Sequence, residues 1–372
     1  MRPSRSLRAL PADPVELLPA LAAALDGTGP AVLPLPPDPS RVLAALRPDE
    51  PLESSEIALV VPTSGSTGAP KGVLLTASAL TASAVATSAR LGGPGQWLLA
   101  IPPTHIGGVQ VLVRSLLSDT QPVVVAEGPF TAESFAAASA QLTGPRRYVS
   151  LVPTQLRRLV GVPAAEDALR SFDAVLLGGA AAPTPLLDAA AGVGARVVTT
   201  YGMSETAGGC VYDGRPLDGV EVSLSAGLVR LGGPVVAAGY RLRPDLTAQA
   251  FSAGAFLTSD LGLMLPGGAL KVLGRADDVI VSGGEKVPPA AVEEALLRHP
   301  AVVDAAVVGV PDDEWGHRVV AFVVLRAPLG LAAARDHVGG LLPRSWAPRA
   351  LREVTQLPVL NSGKVDRAGL RW

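Results

Sequence analysis

The stretch Thr63-Ser64-Gly65-Ser66-Thr67-Gly68-Ala69-Pro70-Lys71-Gly72 follows the apolar run Ile57-Ala58-Leu59-Val60-Val61. Hydroxyl side chains, three glycines and one lysine in ten residues suit a segment that holds a polyphosphate. Glycine lets the backbone approach a ligand, hydroxyls donate to phosphate oxygens, and an ammonium is a compact positive charge. An apolar run leading into such a segment predicts a strand ending in a loop. A Walker P-loop needs Gly-Lys followed by Ser or Thr, the hydroxyl that holds magnesium. Here Pro70 precedes Lys71 and Gly72 follows it, so magnesium ligation must come from elsewhere in the chain. The competing reading is a Gly/Ser/Thr surface linker.

Lysine itself is scarce. Only Lys71, Lys271, Lys286 and Lys364 occur among 31 basic residues, so arginine is the default cation and a retained ammonium asks for a reason. The chain has 372 residues, 48% of them hydrophobic, enough for a large core and two or three domains. A formal net charge of -2 without runs of like charge argues against nucleic acid or an anionic membrane as the main partner and favours small molecules. The one cysteine, Cys210, excludes an internal disulfide framework, and His105, His299, His317 and His337 show no metal-ligand spacing. Prolines and acids interrupt the N-terminus where a signal peptide would be apolar, and no run is long enough for a membrane span. A cytoplasmic protein is expected.

Helical spacing marks Val15 to Leu25 and Arg41 to Leu46, with a Gly/Pro-rich stretch between them. From Ile57 onward, short apolar runs alternate with alanine-rich helical segments: strands are predicted at 97–101, 123–126, 148–152, 174–177 and 196–200. That alternation predicts a layered α/β domain whose ligands collect at the carboxyl ends of the strands. Between Asp213 and Gly274, short strands and Gly/Pro turns predict a small β subdomain. Beyond Arg275, strand and helix patterns predict a compact α+β terminal domain. The expected domains are therefore 1–274 and 275–372.

The loop at 63–72 resembles the phosphate loop of the adenylate-forming superfamily of acyl-CoA synthetases, luciferases and adenylation domains. Five further segments match that superfamily in order: 178–183, 200–206, 258–262, 274–286 and 361–367. The resemblance implies ATP, magnesium and CoA as cofactor and co-substrates, with a carboxylic acid as the group activated. It assigns ATP contacts to Thr63, Ser64, Gly65, Ser66, Thr67, Gly68, Lys71, Gly179, Ala180, Ala181, Tyr201, Gly202, Ser204, Asp260 and Arg275. Tyr201 stacks on adenine, Asp260 and Arg275 reach the ribose, and Glu205 takes the magnesium. A hard cation prefers carboxylate and phosphate oxygens, so Glu205 supplies what the phosphate loop lacks. Asp277 falls at the hinge to a mobile C-terminal domain, Gly283 and Gly284 line the CoA tunnel, and Lys364 is the catalytic lysine. Four of these have a plainer reading: a tight turn for 178–183, a helix N-terminal acid for Glu205, a charged turn at 274–278 and a solvated lysine at 364.

The segment Pro102-Pro103-Thr104-His105-Ile106-Gly107-Gly108, with the helix through Arg114, resembles the branch that activates o-succinylbenzoate, as does Ser150-Leu151-Val152-Pro153-Thr154-Gln155-Leu156. Arg114 is the candidate for the acid's second carboxylate, against a structural ion pair. His105 and Gly202 are also assigned to the acid pocket, His105 with a catalytic part in orienting the carboxylate, against a core histidine. Thr104 stands where the family often has an aromatic, and the region before the phosphate loop is short. Competing functions are a ligase for another aryl or acyl acid, an adenylating enzyme that loads a carrier protein, and a non-enzymatic nucleotide sensor. The expected partners are the acid, ATP and CoA, with no nucleic acid and no membrane span; a homodimer is compatible with the reading.

Overall fold

The computed structural model describes residues 5–64, 70–126, 128–358 and 365–370. The chain forms two compact units: most of it through Thr258 makes the first, and Ser259 onward makes the second together with Ala180–Ala189 and Leu224–Val229.

The first unit opens with a five-stranded sheet in the order Leu7–Pro11, Ala31–Leu35, Ile57–Ser64, Pro70–Thr76, Gly239–Tyr240. The expected helices form at Pro14–Asp26 and Ser40–Leu46, but two unforeseen strands flank them. Prolines hide these strands. Pro34 lies opposite Leu10, while pairing to the next strand is made at Val32 and Leu59, so the missing proline N–H falls clear of that pairing. Asp13 caps the first helix by accepting from the Val15 N–H, and Gly27, at φ 81°, ends it in the left-handed region.

Ile57–Ser64 and Pro70–Thr76 form an antiparallel pair with Thr63 opposite Lys71 and Ser64 opposite Pro70. The strand runs beyond its apolar core, and Lys71 is a strand residue, where the sequence predicts a loop. Gly72 also has a different reason to be glycine: a Cβ there would come within 2.8 Å of Leu46, 2.9 Å of Val60 and 3.1 Å of Arg241. Packing, more than a ligand, excludes a side chain at that position.

The second sheet has seven strands in the order Arg215–Pro216, Gly208–Tyr212, Val197–Met203, Ala174–Leu177, Arg147–Leu151, Gln96–Leu99, Val123–Val124. The last five are parallel, and the largely buried side chains of the middle three, Ala174–Leu177, Arg147–Leu151 and Gln96–Leu99, fit strands covered on both faces. The helices Ala77–Arg90 and Ile106–Leu117 pack against each other and against Gly208–Tyr212. Thr76 starts the first of them by accepting from the Ala79 N–H.

Part of the region read as a small β subdomain belongs elsewhere. Its strands Glu221–Ser225, Leu228–Gly232, Phe251–Ser252, Ala255–Met264 and Leu270–Arg275 share a third sheet, but Gly239–Tyr240 joins the first sheet opposite Leu74 and Val73. The next residue fixes that excursion. Arg241 spends all five N–H bonds, on the carbonyls of Leu46, Arg47, Glu50 and Pro51 and on the Glu53 carboxylate, at 2.7–3.2 Å. Its partners lie about 190 residues away in sequence, which is why no local pattern announces it.

In the second unit, Val302–Asp312 and Gly316–Leu325 make a long antiparallel pair, with Ala350–Glu353 parallel to the latter and Ile280–Ser282 and Glu285–Val287 extending the sheet. Helices Pro289–Leu297 and Leu331–Leu341 bury Val292, Leu296, Ala334 and Val338 among Val307, Val319 and Val323 of the sheet. These are mixed α/β layers, as the alternation predicts.

Candidate active site

Four parallel strands of the first unit end in the segments singled out by sequence. After Gln96–Leu99 come Ala100 to His105; after Arg147–Leu151 comes Val152; after Ala174–Leu177 come Gly178 and Gly179; Val197–Met203 itself carries Tyr201 and Gly202 and leads to Ser204 and Glu205. Gln155 ties the first two ends together, donating to the Ala100 carbonyl at 2.8 Å and accepting from the Val152 N–H at 3.0 Å. Crowding, by a side chain at one and by backbone at the other, explains two glycines. A Cβ on Gly178 would lie 2.3 Å from the Thr200 hydroxyl, and one on Gly202 would lie 2.2 Å from the Gly208 carbonyl. Gly179 follows in the left-handed region at φ 80°.

Ser204, Glu205 and Thr206 form a single 3₁₀ turn closed by Ala207 at φ 51°. The Thr206 hydroxyl locks it, accepting from the Met203 N–H and donating to the Gly208 carbonyl at 2.9 Å. Glu205 is therefore held on a short rigid turn, only 9% exposed. Its Oε1 accepts from the Tyr240 hydroxyl at 2.8 Å, and the Lys71 ammonium stands 4.7 Å from the centroid of the same ring. Burial and the Glu205 carboxylate push the Tyr240 phenol far above its ordinary value, so it stays a donor. The arrangement joins a carboxylate, a neutral donor and an ammonium from three separate segments. Sequence reading names two of them and misses Tyr240.

His105 is exposed at the start of helix Ile106–Leu117, so the core-histidine alternative does not hold. Arg114 is 3% exposed, 3.3 Å from the Thr87 hydroxyl and 4.8 Å from the Trp97 ring centroid. Burial lowers its pKa, while Tyr212 favours its charged form. These neighbours are hydroxyls and a ring, not the carboxylate of a structural ion pair, and among the described residues its Nε–H has no hydrogen-bond partner. Cys210 is buried, and burial pushes its thiol up to about 12, which suits a packed residue and not a nucleophile.

In the second unit, strand pairing sets Asp260 opposite Arg275. The Arg275 guanidinium lies 3.9 Å from Asp260 and donates to Asp277 at 2.8 Å. Gly283 and Gly284, at φ 57° and 83°, make the two-residue turn between Ile280–Ser282 and Glu285–Val287. Trp315 packs on Gly283, where a Cβ would meet its ring at 2.6 Å, and the Arg349 guanidinium lies 3.4 Å from that ring's centroid. Neither side chain is picked out by sequence reading. Arg367 donates to both oxygens of Glu293 at 2.6 and 2.8 Å, which also accepts from the Val307 N–H. Burial raises the Glu293 carboxyl, and Arg367 opposes that rise. Ala180 and Ala181 are exposed. Gly65, Ser66, Thr67, Gly68 and Lys364 lie outside the described residues.

Among the described residues no three His, Cys, Asp or Glu side chains cluster as a metal cage, and no helix is long and apolar enough to cross a membrane.

Residues 9–236 match the AMP-binding enzyme family and residues 291–364 match the AMP-binding enzyme C-terminal domain. A probable 2-succinylbenzoate–CoA ligase of Mycobacterium tuberculosis is 50% identical over 95% of this chain and 94% of its own length. An o-succinylbenzoate CoA synthetase of Bacillus subtilis, solved with the acyl-adenylate intermediate OSB-AMP, superposes with a TM-score of 0.78 at 27% identity, covering 98% of this chain and 87% of that one. The Bacillus subtilis synthetase in complex with ATP and magnesium gives a TM-score of 0.72 at 32% identity, over 84% of this chain and 70% of that one. The chain belongs to the AMP-binding enzyme family.

Proposed function

We propose that the chain is an AMP-forming acid–thiol ligase that joins 2-succinylbenzoate to CoA in menaquinone biosynthesis. The observation that carries the chemistry is the Glu205–Tyr240–Lys71 cluster: a buried carboxylate for a hard cation beside an ammonium for phosphate oxygens. The choice of acid rests on the relatives.

In the first half-reaction a carboxylate oxygen of the acid attacks the α-phosphorus of ATP. The bond from that phosphorus to the bridging oxygen breaks, and diphosphate leaves. In the second, the CoA sulfur, its proton lost, attacks the acyl carbonyl and AMP leaves with its phosphate oxygen. Lys71 holds the terminal phosphates with the hydroxyls and backbone of 63–68; Tyr201, with Gly179, Ala180, Ala181, Gly202 and Ser204, frames the adenine side; Asp260 and Arg275 bind the ribose. A carboxylate suits two adjacent ribose hydroxyls because both of its oxygens accept.

Magnesium fits the residues present. It binds through one or two carboxylates plus substrate phosphates, not in an all-protein cage, and Glu205 is such a carboxylate. When bound it neutralises phosphate charge, which the protein's own cations complement.

His105 and Gly202 orient the acid, and the unspent Nε–H of Arg114 supports a part for it toward the second carboxylate. Lys364 neutralises charge on the reacting carboxylate and α-phosphate in the first step. Arg367, fixed by Glu293, anchors the segment three residues beyond it. We place the functional domain boundary at 274/275, with Asp277 as the hinge by which the C-terminal domain withdraws Lys364 and presents Gly283 and Gly284 to CoA. The cytoplasm suits ATP and a free thiol as substrates. A homodimer is compatible with this chemistry, and light scattering reads it directly.

The test is AMP release from ATP with CoA across a panel of carboxylic acids. 2-Succinylbenzoate is expected to give the highest kcat/KM. Silence with it and turnover of another acid would replace the substrate; transfer to a carrier protein in preference to CoA would replace the acceptor.

A further inference from the structure

We infer that Tyr240 is a positioning residue for the magnesium-bound triphosphate, setting Glu205 through its hydroxyl and Lys71 through its ring face; this rests on the ligase reading above. The two contacts are chemically separate. The hydroxyl donates to Glu205 Oε1 at 2.8 Å, and the ring lies 4.7 Å from the Lys71 ammonium. Tyr240 itself is 5% exposed and has little room to move. Its backbone pairs with Val73 beside Lys71, its N–H donates to the Thr247 hydroxyl at 2.9 Å, and its ring meets Phe251 edge-on at 5.3 Å. The neighbouring Ala237 N–H donates to the Glu205 carbonyl at 2.9 Å, so the same segment grips both the backbone and the side chain of the turn that carries Glu205.

The choice of a phenol has a charge consequence. An arginine or lysine in its place would hold the carboxylate equally well but would cancel its charge, and a cation would then have to compete for it. A neutral hydroxyl fixes one oxygen and leaves the full negative charge in a buried site, where an uncompensated charge is costly and a divalent cation is correspondingly welcome. The ring face meanwhile attracts the Lys71 ammonium without neutralising it, so that charge too remains available to phosphate.

Two substitutions separate the contacts. Tyr240→Phe keeps the ring and deletes the hydroxyl; Tyr240→Leu deletes both. ATP affinity is measured by calorimetry with and without magnesium, alongside melting temperature. For Tyr240→Phe the gain in ATP affinity that magnesium confers should shrink about tenfold, the scale of one hydrogen bond to a charged group, with metal-free ATP affinity unchanged. Kinetically it should raise the magnesium concentration needed for half-maximal rate while leaving kcat at saturating magnesium near that of the parent. Tyr240→Leu should weaken metal-free ATP binding as well. A folded Tyr240→Phe protein with an undiminished magnesium gain, or with equal losses in both titrations, would overturn the inference alone. A parent protein that binds no ATP in either titration would overturn the ligase reading along with it.

Discussion

The Glu205 turn and the Asp260–Arg275–Asp277 corner both carry acids assigned to the nucleotide, yet they are built on opposite principles. Glu205 is 9% exposed, on a turn closed by Thr206, and takes its side-chain hydrogen bond from a neutral phenol. Arg275 and Asp277 are half exposed or more, and they answer each other's charge across 2.8 Å with Asp260 at 3.9 Å. Among the described residues one region holds a buried acid through a neutral donor and without a salt bridge. The other sets a half-exposed arginine between two aspartates, one largely buried and one exposed, so that a ligand hydroxyl can replace the exposed neighbour at small cost. The difference shows which positions should trade stability for function and which should affect function alone.

The largest expected effect lies outside both regions. Lys364→Ala should lower the adenylation rate about a thousandfold or more, the upper scale for removing one electrostatic donor to a transition state, while thioester formation from supplied acyl-adenylate stays near the parent rate. Rapid-quench measurement of each half-reaction checks it; equal loss in both would mean that the lysine serves the whole site. Next, Glu205→Gln should cut adenylation about a hundredfold and yet leave the melting temperature unchanged or higher, because a buried charge held by a neutral donor is removed while an acceptor for Tyr240 is kept. A fall of several degrees would break the contrast between the two regions. Asp260→Ala should raise the KM for ATP about tenfold with little change in stability, the loss of hydrogen bonds to a charged group whose arginine partner is itself half exposed. The smallest effect is on folding: Asp277→Ala should shift unfolding free energy by no more than about 0.5 kcal/mol, as expected for an exposed pair. A larger loss in denaturant titration would move that corner into the rigid class.

The contrast also marks what could be read from sequence. The strand Ala174–Leu177 is found end to end because it is an unbroken buried apolar run bounded by an aspartate and two glycines. Lys71, Glu205, Asp260 and Lys364 stand out because their residue types sit in ordered local patterns. What escaped depends on distance. Pro34 breaks the appearance of a strand without breaking the strand, because its pairing does not use the missing N–H. Tyr240 lies on a two-residue strand whose partners are near residue 73, and Arg241 serves carbonyls at 46–51. No periodicity within a short window encodes such pairings. Gly72 was legible as a residue but not in its reason, since the side chains that exclude a Cβ come from three separate segments.

The most direct test of the account omits CoA. Purified protein mixed with ATP, magnesium and 2-succinylbenzoate should form about one equivalent of 2-succinylbenzoyl adenylate per active site with release of diphosphate, and CoA added afterwards should convert it to the thioester and AMP. Formation of ADP and phosphate, or of thioester with no adenylate ever detectable by rapid quench and mass spectrometry, would contradict it.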